Sequence, residues 1–285
     1  MEDATVLEVH EFPAQQYVLR LEAPKTAASA SAGTFVHVQC DDTIPMRRPL
    51  SIMRASAKDG WIEVLFKIVG EGLRSLGARK RGDSVSVIGP IGHGFEPDPE
   101  RPLALLVGGG VGIPPMIFLA ETLVSERRHW RPLVLMGSEI PFPFELVRSS
   151  LPTPWLDAET NSSIALLEDL GVPARLASLA GFEGCHKGYV TDLARRCLES
   201  LDGDGLSGVA LYACGPTPML EAVARLAGEF GLPCQVALEE YMACAVGGCA
   251  GCTVLVQTAD GPAMKRVCVD GPVFDAAAVW PQTGE

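Results

Sequence analysis

Four of the nine cysteines sit close together near the C-terminal end: Cys244, Cys249 and Cys252, then Cys268 after fifteen intervening residues. That is the C-x4-C-x2-C…C spacing of [2Fe-2S] ligation. Three thiolates on one tight loop must converge on a cluster only a few ångströms across. The intervening Ala245, Gly247, Gly248, Ala250 and Gly251 let the backbone wrap closely and aim N–H groups at the sulfurs. A structural zinc site is the competing reading, but such sites usually show two C-x2-C knuckles, and the second is missing here. The other five cysteines are scattered, which suits small buried hydrophobes, with Cys214 the exception.

A second chemistry is written in glycine. Gly108-Gly109-Gly110-Val111-Gly112 follows the apolar run Leu103 to Val107 and precedes Ile113-Pro114-Pro115, a helix start. Glycines admit a pyrophosphate to the backbone, and the positive end of a helix stabilises its charge. Cys214-Gly215-Pro216 forms a second such turn after another apolar run. Two turns at strand C-terminal ends face one crevice, where open sheets bind nucleotides. A third signal, Arg47-Arg48-Pro49-Leu50-Ser51, sets an arginine fork suited to phosphate beside a hydroxyl; alone, an Arg pair is more often solvated charge.

These groups need elements to hold them. Residues 5–11, 17–22, 34–40, 49–54, 61–69 and 84–88 read as short β strands of a small antiparallel barrel, with a helix at 72–79 and a loop at 89–95. From residue 102 strands and helices alternate, which predicts a parallel sheet. Strands are expected at 103–107, 133–136, 174–177 and 209–212, and helices at 114–126, 144–149, 190–201 and 218–230. The stretch 152–173 is a loop-and-helix insertion with a short helix at 166–170. The fold class is thus β plus α/β: residues 1–100 an N-terminal six-stranded barrel, 101–235 a central parallel-sheet nucleotide-binding domain, and 236–285 a small C-terminal cluster domain.

Composition narrows the partners. A formal charge of -12 disfavours nucleic acid and anionic membrane surfaces. No apolar run approaches the roughly 20 residues of a membrane span, the first residues are acidic rather than signal-like, and clustered thiols suit a reducing cytoplasm.

The Arg-Pro-Leu-Ser strand, the Gly89-Pro90-Ile91-Gly92 loop and the two glycine turns, in that order, are similar to the ferredoxin-NADP reductase superfamily. With Glu239-Glu240-Tyr241 ahead of Cys244 and Arg266 to Phe274 around Cys268, the whole chain resembles the electron-transfer subunits of type B dihydroorotate dehydrogenase. The resemblance implies FAD held by Arg48, Pro49, Leu50 and Ser51, by Leu65, Phe66 and Lys67, and by Gly72 and Leu73. It implies NAD on Gly108, Gly109, Gly110, Gly112, Cys214, Gly215 and Pro216, with Ser51 near the flavin N5 and Cys214 near the nicotinamide C4. It further implies a cytoplasmic hetero-oligomer, a heterotetramer, with an FMN-containing catalytic subunit, serving pyrimidine biosynthesis. Tyr241, Met242, Val246 and Val273 are the expected docking residues. The sequence departs from the pattern at Leu73, where threonine is frequent, in the 152–173 insertion, and in a gap before Cys268 that a hairpin tip at Asp260-Gly261 absorbs. A reductase for an oxygenase, transhydrogenase or hydrogenase complex shares the same electronics. A non-catalytic carrier or scaffold is the alternative of another class.

Overall fold

The computed structural model describes residues 1–126 and 129–281. Period-two patterning in the first part of the chain produces β1 (Glu2–Phe12), β2 (Gln16–Glu22), β3 (Phe35–Gln39), β4 (Arg48–Ser56), β5 (Trp61–Lys67) and β6 (Ser84–Ile91). They close into a barrel in the order β1-β2-β5-β4-β3-β6, with β6 returning to β1. Closure gives every strand a neighbour on both sides, so neither end of the sheet is left as a free edge. Leu19, Leu21, Val36, Val38, Ile52, Ile62 and Val64 are fully buried in its wall and interior. The expected helix forms at Glu71–Gly77. The loop expected from residue 89 starts later, because Gly89, Pro90 and Ile91 extend β6. Pro90 is tolerated there because the β3–β6 register slips between Phe35 and His37, so no ladder N–H is required of it.

The second sheet contains β7 (Leu103–Gly109), β8 (Arg131–Gly137), β11 (Ala174–Ala177), β12 (Val209–Cys214) and β13 (Cys234–Ala237), all parallel. Its order is β11-β8-β7-β12-β13 with β16 (Val273–Asp275) added antiparallel at the edge. The sheet is therefore mixed, not purely parallel, and its last strand comes from the cysteine-bearing segment. A second correction concerns residues 144–149. Instead of a helix they carry β9 (Leu146–Arg148), which pairs with β10 (Ser162–Ile164) to form a small hairpin ahead of the helix Ala165–Asp169. The remaining hairpin is β14 (Thr253–Thr258) with β15 (Gly261–Arg266); its turn is Ala259-Asp260, one residue before the expected Asp260-Gly261, because Gly261 already pairs with Thr258.

Helix Ile113–Ser125 carries a broad apolar face and packs on β4, joining sheet to barrel. Two polar contacts fix that junction. Arg54 Nε donates to Glu121 Oε1 at 2.7 Å, and buried Gln16 Nε2 donates to the Pro141 carbonyl at 2.7 Å. No helix among the described residues is long and apolar enough to cross a membrane.

Candidate functional site

The barrel wall has a gap where the flavin motifs lie. The β4–β5 ladder runs only from Ser56–Trp61 to Ile52–Val64. Beyond it, Arg48 to Ser51 pair with β3 alone and Leu65 to Lys67 with β2 alone. The facing edges of both segments are splayed, so their backbone groups have no ladder partner across the gap, an arrangement that suits a planar, hydrogen-bonding ring. Leu65 and Phe66 are both buried, on opposite faces of β5, with Phe66 stacked on Tyr17 at a centroid distance of 5.6 Å. The two arginines part company. Arg47 bonds the Ser86 carbonyl at 2.8 Å and its hydroxyl at 2.9 Å, tying the barrel rim. Arg48 lies over Gly72, where a Cβ would come within 3.3 Å of its guanidinium. Arg48 is thus the phosphate candidate of the pair, with Leu73 buried beside it.

The nucleotide turns meet at the switch point of the sheet, between β7 and β12, where Gly108 registers with Cys214. Gly110–Gly112 form a single 3-10 turn leading into the helix Ile113–Ser125. The turns are in backbone contact: a Cβ on Gly112 would lie 2.4 Å from both the Cys214 carbonyl carbon and the Gly215 nitrogen. Gly112→Ala should therefore force the turns apart and raise the KM for the nucleotide about tenfold or more, while FAD content stays constant. Titration of the flavin-loaded protein with NADH checks this; an unchanged KM would remove Gly112 from the site. Cys214 itself is a neutral thiol, since burial, with the Glu239 carboxylate adding to it, pushes it well above its ordinary range. It can pack against a ring but is no nucleophile at neutral pH. In the sequence Glu239 stands out only as part of the segment ahead of Cys244, with no role of its own. Desolvation holds it above the usual carboxylate range although the residue keeps solvent access.

The cysteine loop is wound tightly, with Ala245 at φ 55 and Ala250 at φ 54, both in the left-handed region. Its thiols fall into two pairs, Cys244 with Cys249 and Cys252 with Cys268. Cys249 is exposed, whereas Cys252 and Cys268 are buried. Backbone N–H groups of Val246, Gly248 and Cys249 converge on the Cys244 sulfur and draw its thiol down to about 6. Burial beside Cys252 pushes Cys268 up to about 11. Arg266 locks the base of the loop, donating to Asp270 at 3.1 Å and to the Gly247 carbonyl at 3.2 Å. Among the described residues, no three Cys, His, Asp or Glu side chains gather around a single ion position. Two pairs of thiols are the arrangement that two irons with two thiolates each would take.

Residues 239–280 match the family model for the iron-sulfur cluster binding domain of dihydroorotate dehydrogenase B. A dihydroorotate dehydrogenase B (NAD(+)) electron transfer subunit from Desulforamulus reducens is 32% identical over 282 residues, 98% of each chain. The corresponding subunit from Geobacillus thermodenitrificans is also 32% identical, again over 98% of each chain. The chain belongs to this family of electron transfer subunits. Two solved structures share its fold. A chain of the NADH-dependent reduced ferredoxin-NADP oxidoreductase superposes with a TM-score of 0.76 at 24% identity, covering 98% of this chain and 90% of that one. The ferredoxin reductase in carbazole 1,9a-dioxygenase gives 0.60 at 19% identity, over 81% and 66%.

Within this electron transfer subunit, the expected docking residues separate. Tyr241 is 95% exposed and Val246 61% exposed, but Met242 is buried in the core at 8% and Val273 is half-buried in β16. Sequence reasoning missed Leu255 and Met264, which face each other across the hairpin and are 56% and 60% exposed. Their signal was present, since paired apolar residues at a period of two can mark an outer as well as an inner face.

Proposed function

We propose that this subunit passes electrons between NAD and a catalytic partner through FAD and a [2Fe-2S] cluster, in the oxidation of dihydroorotate to orotate. The observation that carries the reading is the adjacency of its three sites. On β3, Phe35 registers with Ser51 of the flavin slot on one side and with Ile91, beside the cysteine loop, on the other. Strands lie about 4.8 Å apart, so slot and cluster loop are separated by a single strand. On the other flank, the helix that opens the nucleotide crevice packs on β4. A nicotinamide exchanges two electrons as a hydride and an iron-sulfur cluster takes one at a time, and a flavin does both.

The residues have distinct parts in this scheme. Arg48 holds the flavin phosphate, and the splayed backbone of residues 49–51 and 65–67 with Gly72 and Leu73 orients the ring. Ser51 presents its hydroxyl at the flavin edge. Gly108 to Gly112 with Cys214, Gly215 and Pro216 seat the dinucleotide. Cys244, Cys249, Cys252 and Cys268 bind the cluster, their backbone donors favouring its reduced state. We divide the chain at about residues 100 and 235 into flavin, nucleotide and cluster regions. The nine cysteines, all free thiols, support a reducing cytoplasmic setting, and we infer a heterotetramer with an FMN-containing subunit. Purified protein should contain about two irons and one FAD per chain. Iron analysis and electron paramagnetic resonance after dithionite test this, and zinc in place of iron would overturn it.

NADH should be preferred to NADPH. The segment after β11, Ser178 to Glu183, lies at the same end of the sheet as the glycine turns, offers no Arg or Lys to a 2′-phosphate, and contributes a carboxylate. A charge-assisted hydrogen bond is worth about 1.5–3 kcal/mol, so kcat/KM for flavin reduction should favour NADH by about tenfold or more. A ratio near one would refute the assignment.

A further inference from the structure

Between the last cysteine and β16 the chain makes a junction with every other part of the molecule. Asp270 is held by Arg266 at the base of the cysteine loop. The Gly271 carbonyl accepts from His93 N at 2.6 Å, on the loop that leaves the barrel after β6, and the Pro272 carbonyl accepts from Leu238 N at 2.9 Å, just beyond β13. Val273 then enters the sheet opposite Ala237, with its Cγ2 2.9 Å from where a Cβ on Gly33 would lie. Four consecutive residues thus tie the Cys268 arm to the flavin barrel and the nucleotide sheet at once. The closest approach is at Gly92. Its φ is +88, and a Cβ there would lie 2.4 Å from Pro272 Cδ and 2.7 Å from the Gly271 oxygen. Backbone seats on backbone, with no room for a methyl group.

We propose that Gly92 is a positioning residue for electron transfer between flavin and cluster: its missing side chain lets Gly271 and Pro272 seat on the barrel and fixes the Cys268 arm relative to the flavin slot. The inference rests on the cofactor reading above. In the step concerned, one electron would leave the flavin reduced by hydride and enter the oxidised cluster; because hydride transfer leaves the flavin as an anion, no proton need accompany the electron, and no bond forms or breaks between the two groups. Gly92 touches neither group and acts only through the seat it provides.

Gly82 supplies the control, because it lies on the same barrel at φ +92 with nothing within 4 Å of its Cβ position. Gly82→Ala bears the same backbone strain as Gly92→Ala without the collision. Both full-length holo proteins would be mixed rapidly with NADH, and flavin and cluster reduction followed separately. Amide hydrogen exchange would report on His93 and Leu238. For Gly92→Ala we expect cluster reduction by flavin slowed about tenfold, the scale of an ångström-size misplacement. Exchange at both amides should be faster, with hydride transfer from NADH, iron content and the reduced-cluster resonance unchanged. Gly82→Ala should match wild type throughout. Val273→Ala, which trims the side chain by which the same arm meets the barrel at Gly33 and adds no atom, should slow the same step by a smaller factor, and it decides the matter if Gly92→Ala does not fold. Wild-type transfer in a folded Gly92→Ala, equal slowing in Gly82→Ala, or, where only Val273→Ala folds, its transfer at the wild-type rate would overturn the proposal. Wild-type protein without FAD or cluster would instead refute the cofactor reading itself.

Discussion

Cys249→Ser should empty the iron site while the flavin stays in place. Cys249 is the exposed member of its thiol pair, and its sulfur accepts the Gly251 N–H at 3.4 Å. A serine hydroxyl ionises far less readily than a thiol and is a poor iron ligand, leaving one iron with a single protein thiolate. Even outer partners of a metal site cost 10–100-fold in affinity, so loss of a direct ligand should lower electron delivery to the partner by about 100-fold or more. FAD content and hydride transfer from NADH should stay within about twofold, because the slot between β4 and β5 and the crevice between β7 and β12 share no side chain with the loop. Iron analysis, resonance spectroscopy and NADH–ferricyanide assays read these quantities on one sample. Equal loss of flavin and iron would show that the sites are not separable.

The isolated chain should oxidise NADH with ferricyanide but give no turnover of dihydroorotate with NAD⁺, and turnover should appear when a type B catalytic subunit is added. Proton abstraction from such a substrate needs a general base held beside a flavin. Glu239 acts on the buried Cys214 thiol beside the glycine turns, and neither the barrel slot nor the sheet offers a motif for a second flavin with a base beside it. Exposed Tyr241, Val246, Leu255 and Met264 give the cysteine-bearing segment an apolar surface of the kind that interfaces bury. Dihydroorotate turnover by the chain alone would overturn the subunit assignment. Failure with every such partner would favour an oxygenase or hydrogenase reductase.

The barrel was legible because each strand repeats its apolar face at a period of two and is bounded by turn residues. β7 and β12 announced themselves as continuous apolar runs before glycine. Failures occurred where pairing, not local pattern, decides. Phe144 to Ser149 holds apolar residues at spacings a helix also accepts, and only its ladder with Ser162–Ile164 makes it a strand. β13 has four residues, Cys-Gln-Val-Ala, too few for any period to show. β16 is three residues long and exists because β13 offers it an edge. In the site, sequence could not tell Arg47 from Arg48, since what separates them is a carbonyl and a hydroxyl on β6, remote in the chain. Glu239 was legible only as part of the segment ahead of Cys244; its influence on the Cys214 thiol comes from proximity in the fold, not from its neighbours along the chain.

The strand β16 bears on how such a protein can be cut. Any truncation that removes the cysteine-bearing segment also strips β13 of its outer neighbour, leaving Gln235, Val236 and Ala237 with unpaired amide and carbonyl groups on a newly bare apolar rim. Rims of that kind recruit strands from other molecules. A two-site fragment ending near residue 238, made to study hydride transfer without iron, would therefore be prone to self-association, and its solubility could be restored by supplying residues 272–276 as a peptide or by placing lysine on the exposed strand.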